Sequence, residues 1–124
     1  MTQSGLIVRV AAKGEGATAD GRYAALAAPG DVLADFGAVS EPVARMMAEG
    51  AMANSRANIS VAITGVAGPG GGTRMKPVGT VHIACARENR AVLHEMLQLG
   101  DIGREGIRMA AVETALNLIQ AQTR

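Results

Sequence analysis

The sequence predicts an α/β fold on three observations. Two segments, Ser40 to about Arg56 and Arg104–Gln120, carry apolar residues at three- and four-residue spacing, the signature of amphipathic helices. Between them lie three stretches that read as strands: 58–64, Thr80–Ala86 and Ala91–Leu99. In the first of these, Ile59, Val61 and Ile63 line one face while Ala62 stands on the other, so both faces of the sheet are expected to be covered.

Each element has its own punctuation. Leu6, Val8 and Val10 alternate, so Gly5–Ala12 reads as one strand, whereas Gly14–Arg22 is small, polar and without period. Pro29-Gly30-Asp31 opens one or two helical turns that reach Phe36 and stop at Gly37. Ser40 is a good N-cap, with Glu41 and Pro42 in the first turn of a helix whose apolar face is read as Val43, Met46, Met47, Gly50 and Ala53/Asn54. Arg87-Glu88-Asn89-Arg90 joins two strands as a polar hairpin connection. After Gly100-Asp101-Ile102-Gly103 the last helix turns its Ile107, Ala110/Ala111, Thr114, Ala115, Leu118 and Ile119 face inward. From Pro29 the order is α-α-β-loop-β-β-α.

Composition limits the function classes. A chain of 124 residues makes one domain, and 48% hydrophobic against 19% charged residues argues against disorder. A net charge of +1 leaves no concentrated basic face for nucleic acid or a membrane surface. Tyr23 and Phe36 are the only aromatic rings of the Phe/Trp/Tyr set, too few for a base-stacking platform. The lone Cys85 makes neither an intrachain disulfide nor a cysteine-based metal site and reads as a reduced core thiol. No apolar run approaches the roughly 18 residues of a bilayer span, and the Leu6–Ala12 patch has no basic n-region before it. The expectation is a cytoplasmic protein.

The most distinctive segment is Thr64–Gly79, TGVAGPGGGTRMKPVG. It leaves the end of a strand, where open α/β sheets place ligands. Its glycines adopt positive φ at no steric cost and let backbone N–H groups converge on an anion. It is not a P-loop, because neither Lys13 nor Lys76 follows a glycine in the G-x-x-x-x-G-K frame. It is not a dinucleotide fingerprint either: Gly68-Pro69-Gly70 begins one, but Thr73 occupies the third glycine position and the loop runs into a strand. The candidate binding residues are Thr64, Gly65, Gly68, Gly70, Gly71, Gly72 and Thr73, with Arg74 and Lys76 as flanking donors. A plain flexible connection between strands is the alternative.

The run Thr64–Val81 closely resembles a signature of the C-terminal domain of the competence/damage-inducible protein CinA, the family of nicotinamide-nucleotide amidohydrolases also met as stand-alone PncC-type proteins. The resemblance spans about Val32 to Leu118. It takes in Gly37-Ala38-Val39-Ser40-Glu41, Met47-Ala48-Glu49-Gly50-Ala51 and Gly100-Asp101-Ile102-Gly103-Arg104. It implies a three-layer α/β/α sandwich, with residues 1–28 a divergent segment and 29–124 the family domain. It also implies a role in pyridine-nucleotide salvage: hydrolysis of the carboxamide of nicotinamide mononucleotide to nicotinate mononucleotide and ammonia. Arg104 joins the candidate binding set as a phosphate partner, or else as an interface residue. No cofactor is implied.

Amide hydrolysis requires an activated nucleophile and donors for the developing oxyanion. The family supplies its serine from a Glu-Ser-Cys-Thr-Gly-Gly motif and a lysine and tyrosine from a Tyr-Ser-Asn-Glu-Ala-Lys-like segment. Neither motif stands in this sequence: Ser4-Gly5-Leu6-Ile7 is a faint echo of the first, and Tyr23 has no lysine at the required spacing. The region before Pro29 thus reads as truncated or replaced, leaving the fold incomplete there and a sheet edge open to self-association. No catalytic residue and no metal ligand is assigned. Ser40 and Ser55 read as helix residues, Ser60 as a strand residue without a basic partner, and the methionines mostly as packing. His82 and His94 lie on neighbouring strands and approach across the hairpin, as ordinary half-buried histidines. Three functions follow: a domain that binds nicotinamide mononucleotide or a related phosphate ligand with little turnover, a non-catalytic remnant serving a homo-oligomer, or an enzyme using other residues such as Ser4 with Lys13.

Overall fold

The computed structural model describes residues 6–14, 39–53, 57–68, 70 and 72–124; for 6–14 and Ala57 it describes the backbone alone. The elements in chain order are β1 (Leu6–Gly14), α1 (Glu41–Ala53), β2 (Ala57–Val66), β3 (Thr80–Arg87), β4 (Leu93–Gln98) and α2 (Arg104–Gln122). The turn read over Pro29–Phe36, Ser55, and Ser4-Gly5 of the N-terminal echo lie outside the described residues, whereas Leu6-Ile7 of that echo open β1.

The four strands form one sheet in the order β1-β2-β3-β4, with every neighbouring pair antiparallel. Register divides the side chains between two faces, because residues directly opposite in an antiparallel pair point the same way. Ser60, Ala62 and Thr64 stand opposite Ala86, Ala84 and His82, and the last two continue to His94 and Met96 on β4. Val61, Ile63 and Gly65 stand opposite Cys85, Ile83 and Val81 on the other face. α1 packs on the first face through Val43, Ala44, Met47, Ala48 and Ala51. α2 packs on the second through Ile107, Ala111 and Ala115. The result is a three-layer α/β/α sandwich with both sheet faces covered.

The two halves of the core differ in grain. Under α1 the contact is rich in alanine, from Ala44, Ala48 and Ala51 on the helix to Ala62, Ala84 and Ala86 on the sheet, with Val43 and Met47 as its large members. Small side chains on both partners bring the helix close to the strands. Ser60 uses that closeness: its Oγ donates to the Ala48 carbonyl at 2.5 Å. Under α2 the larger Val61, Val81, Ile83 and Ile107 fill the space. Of the face read from sequence, Val43 and Met47 are buried, Met46 and Gly50 are half-buried and Ala53 is exposed; Ala44, Ala48 and Ala51 complete the buried stripe. The methionines also divide. Met47 is core, whereas Met75, Met96 and Met109 are exposed.

The termini of the helices are satisfied from nearby. Ser40 Oγ accepts the Val43 N–H at 3.4 Å and the Ser40 carbonyl accepts Ala44 N–H at 3.0 Å, confirming it as the α1 N-cap. At the far end of α2, buried Gln122 donates through Nε2 to the Cys85 and Ala91 carbonyls at 2.8 and 2.9 Å. Arg87 and Arg90 place their guanidinium groups on the Gln122 carbonyl, complementing the negative helix end that α2 itself leaves without a basic residue. No helix among the described residues is long and apolar enough to cross a membrane.

Candidate functional site

The glycine loop leaves β2 at Val66 and returns at Thr80. Its base is closed by Gly79 N–H to the Val66 carbonyl at 2.8 Å, and Thr80 caps the return by donating from N–H and Oγ1 to the Pro77 carbonyl at 3.1 and 2.7 Å. Its tip is a small reciprocal turn: Thr73 N–H donates to the Lys76 carbonyl at 2.9 Å and Lys76 N–H donates to Thr73 Oγ1 at 3.0 Å.

The segment leading into α2 crosses this base at close range. Gly79 has φ +96°, and a Cβ there would fall on the backbone of Gly100. Leu99 N–H donates to the Gly79 carbonyl at 3.0 Å, fixing the crossing. Gly100 and Gly103, at φ +71° and +91°, then turn the chain into α2. The first residue of that helix is Arg104, whose Nη1 donates to the Gly68 carbonyl at 3.0 Å. Two segments 36 residues apart in sequence thus meet through one guanidinium in a part-buried contact, on a residue that is exposed overall.

The predicted binding residues fall into three groups. Thr64 is wholly buried on the α1 face, and Gly65 is buried where a Cβ would stand 2.9 Å from Val81 Cγ2 and 3.0 Å from the Thr80 carbonyl. Gly68, at φ +77°, and Gly72 pack on Val78, with a built Cβ 2.8 Å from its Cγ1 and 2.9 Å from its amide nitrogen respectively. The close fit of the loop on Val78 and Val81 therefore demands glycine at 65, 68 and 72 in its own right. Gly70 is half-buried, while Gly72, Thr73, Arg74 and Met75 are exposed; Gly71 lies outside the described residues. The structure brings Arg104 to the loop and puts the cations Arg74 and Lys76 at its tip. It sets Thr64 apart beneath it.

Thr64 instead begins a polar row that sequence spacing only partly showed. On β3 its neighbour is His82, whose Nδ1 lies 3.0 Å from His94 Nε2 on β4. His94 Nδ1 lies 3.6 Å from Glu41 Oε1 on α1, and Glu41 Oε2 accepts from Arg45 Nε at 2.8 Å. Arg45 also donates from Nη1 to the Val92 carbonyl at 3.1 Å, tying α1 to the approach of β4. Burial lowers the pKa of both histidines; for His82 the charges of His94 and Lys76 add to it, and for His94 Glu41 opposes it. The Arg45 hydrogen bond holds Glu41 below the usual carboxylate value. The approach of the histidines was expected from the hairpin; the carboxylate was not, since it comes from a helix over 40 residues away in sequence.

Two buried nucleophiles among the described residues, Ser60 and Cys85, are occupied or inert. Ser60 Oγ is spent on α1, and burial pushes the Cys85 thiol up to about 11. Among the described residues no group of three or more His, Cys, Asp or Glu is arranged to hold a metal ion. An open cavity of about 370 Å³ lies at the opposite end of the sheet, lined by Asn58, Ile59, Arg87, Glu88, Asn89 and Thr123. It carries no nucleophile–base pair, and its Arg87 is engaged with the end of α2.

The fold has close counterparts. The family model described as CinA C-terminal domain matches residues 18–123. A CinA-like protein of Anaeromyxobacter sp. (strain Fw109-5) is 52% identical over 103 residues, covering 83% of this chain and 25% of the relative. A CinA-like protein of Mycobacterium sp. (strain JLS) is 47% identical over 96 residues, covering 77% and 22%. The chain therefore spans about a quarter of the length of these curated relatives. Among solved structures, the competence/damage inducible protein CihA from Agrobacterium tumefaciens superposes with a TM-score of 0.79 at 48% identity, over 86% of this chain and 65% of that one. A CinA superfamily protein from Escherichia coli gives 0.68 at 34% identity, over 74% and 52%. The chain belongs to the CinA C-terminal domain family.

Proposed function

We propose that the glycine loop and Arg104 form a binding site for the phosphate of nicotinamide mononucleotide, in a domain of the nicotinamide-nucleotide amidohydrolase type. The observation that carries this reading is the Arg104–Gly68 hydrogen bond. One N–H of the guanidinium is spent on the loop carbonyl, which fixes the side chain beside the loop while the exposed remainder faces solvent. A guanidinium presents five N–H donors, so an anion seated there meets a forked, always-charged partner. Arg74 and Lys76 at the loop tip raise the local positive potential that draws such a ligand in.

Turnover is a separate matter. Hydrolysis of the carboxamide to nicotinate mononucleotide and ammonia needs a nucleophile, and this sequence carries neither the serine motif nor the lysine–tyrosine segment of the family. Ser60, the described buried serine nearest the middle of the sheet, is committed to the Ala48 carbonyl. We therefore assign these residues ligand recognition with little or no hydrolysis, in a cytoplasmic setting and without a cofactor. A homo-oligomeric assembly of the same chain is the companion proposal.

Calorimetric titration of the native chain and of Arg104→Gln with nicotinamide mononucleotide, nicotinamide riboside and inorganic phosphate tests the assignment. Each charge-assisted hydrogen bond contributes roughly 1.5–3 kcal/mol, so the substitution is expected to weaken mononucleotide binding by about 10- to 100-fold. The riboside, lacking phosphate, is expected to bind weakly to both. Equal affinity of the native chain and Arg104→Gln for the mononucleotide overturns the site.

A further inference from the structure

The Glu41–His94–His82 row lies outside the proposed ligand site and is absorbed by no part of that reading. Its geometry is unusual. The ring centroids are 5.2 Å apart with the planes only 26° from parallel, while the facing nitrogens are 3.0 Å apart. The centroid separation is thus the nitrogen–nitrogen distance plus about two ring radii. The rings meet head to head, nearly in line, and not face to face. A metal ion seated between them would need about 2.0–2.1 Å to each nitrogen, which that gap does not provide on the line of contact. A proton fits.

We propose that His82 and His94 form a one-proton latch that fastens β4 to β3 beneath the first turn of α1, and that a second proton opens it. The hydrogen count follows from imidazole chemistry. With both rings neutral, one facing nitrogen carries hydrogen and the other accepts. The first added proton makes His94 an imidazolium that donates from Nε2 to His82 Nδ1 and presents Nδ1–H to the Glu41 carboxylate, so the latch holds. The second added proton must go on His82, whose outer nitrogen already bears hydrogen in the accepting tautomer. It lands on Nδ1, two N–H groups then face each other at 3.0 Å, and the bond is lost.

The surrounding charges set the order. Around His94 stand Glu41 and Arg45 from α1 and Glu95 on its own strand; around His82 stand Lys76 from the glycine loop, His94 and, further off, Glu41. At His94 two carboxylates, Glu41 foremost, outweigh the Arg45 guanidinium, whereas at His82 Lys76 outweighs the more distant Glu41, so His94 takes the first proton. The lowered pKa of both rings, caused by burial, agrees with the same scheme. The mechanical consequence falls on β4, the outer strand among the described residues, whose side chains are half-buried or exposed and which holds α1 through His94 and the Arg45–Val92 contact.

The test is a pH titration of the native chain followed by ring-nitrogen NMR, with backbone hydrogen exchange measured on the same samples. The expected result is sequential titration, His94 before His82, with the lower midpoint beneath the ordinary histidine value of about 6.5. Protection of the β4 amides, corrected for intrinsic exchange, falls roughly tenfold per pH unit once opening is coupled to uptake of the second proton, while β2 protection is unchanged. In His94→Gln, whose amide can donate to His82 without titrating, the β4 protection loses this pH dependence. Two histidines that titrate independently near the ordinary value overturn the latch, as does β4 protection that stays constant through double protonation. The native titration decides the matter even if the variant fails to fold, and it requires no nucleotide.

Discussion

Replacing Gly79 and Gly100 separately by alanine isolates the crossing that places Arg104 over the loop. Both residues sit at positive φ, +96° and +71°, so each substitution incurs a backbone penalty of about 1–2 kcal/mol. They differ in what the new methyl meets. At Gly100 a Cβ has nothing within 4 Å; at Gly79 it falls on the Gly100 backbone, which has no flexible side-chain end to give way. Forcing such an overlap adds roughly 1–3 kcal/mol. In urea unfolding followed by circular dichroism, with a slope of about 1–3 kcal/mol per molar, Gly79→Ala should lower the midpoint by about 1 M more than Gly100→Ala does. A Gly79→Ala chain with no native baseline, beside a folded Gly100→Ala, gives the same answer. Coincident midpoints would refute the crossing, because φ strain alone would then account for both glycines. The functional correlate is that Gly79→Ala, by lifting the start of α2 off the loop, also weakens nucleotide binding.

Further predictions concern the two halves of the core. Ser60→Ala removes the donor to the Ala48 carbonyl and should destabilise by about 1–2 kcal/mol in the same unfolding assay; an unchanged midpoint would show that the α1–sheet approach does not depend on it. Cys85, buried with its thiol raised to about 11, should resist thiol reagents at pH 8 in the folded chain and react promptly in denaturant, and rapid labelling without denaturant would contradict its place under α2. The depressed histidines fix the sign of the acid response. Because the unfolded rings bind protons more readily, their contribution is complete above about pH 6.5 and drains away as pH falls below it. Thermal midpoints should therefore drop between pH 7 and 5 in the native chain and drop less in His94→Gln.

Much of this architecture was readable from local pattern. Alternation at Ile59, Val61 and Ile63 found β2, the alanine opposite them foretold the second covered face, and Ser40 announced the start of α1. The polar run at 87–90 gave the hairpin, with Asn89 in the left-handed region at φ 62°. What local pattern missed depends on shape or on distance along the chain. The inward stripe of α1 keeps Val43 and Met47, as hydrophobicity indicates, but is completed by Ala44, Ala48 and Ala51 in place of Met46 and Ala53. Gly79 and Gly100 need glycine because they meet each other, a fact visible only once the loop and the approach to α2 are folded together. Glycine-richness marked the loop as a candidate ligand site, yet at 65, 68 and 72 the tight fit on Val78 and Val81 already explains the residue. Arg104, read from its place at the start of the last helix as a phosphate or interface residue, reaches the Gly68 carbonyl, a contact that sequence spacing does not show.

The central claim, that the loop and Arg104 recognise a nucleotide phosphate, is tested most directly by amide NMR of the native chain titrated with nicotinamide mononucleotide, with the ligand resonances followed for a day. The account predicts saturable shifts confined to 64–79 and the start of α2 about Arg104, with the ligand left intact. An absence of shifts at millimolar ligand, or shifts centred on the distant Asn58–Arg87 cavity, would contradict it.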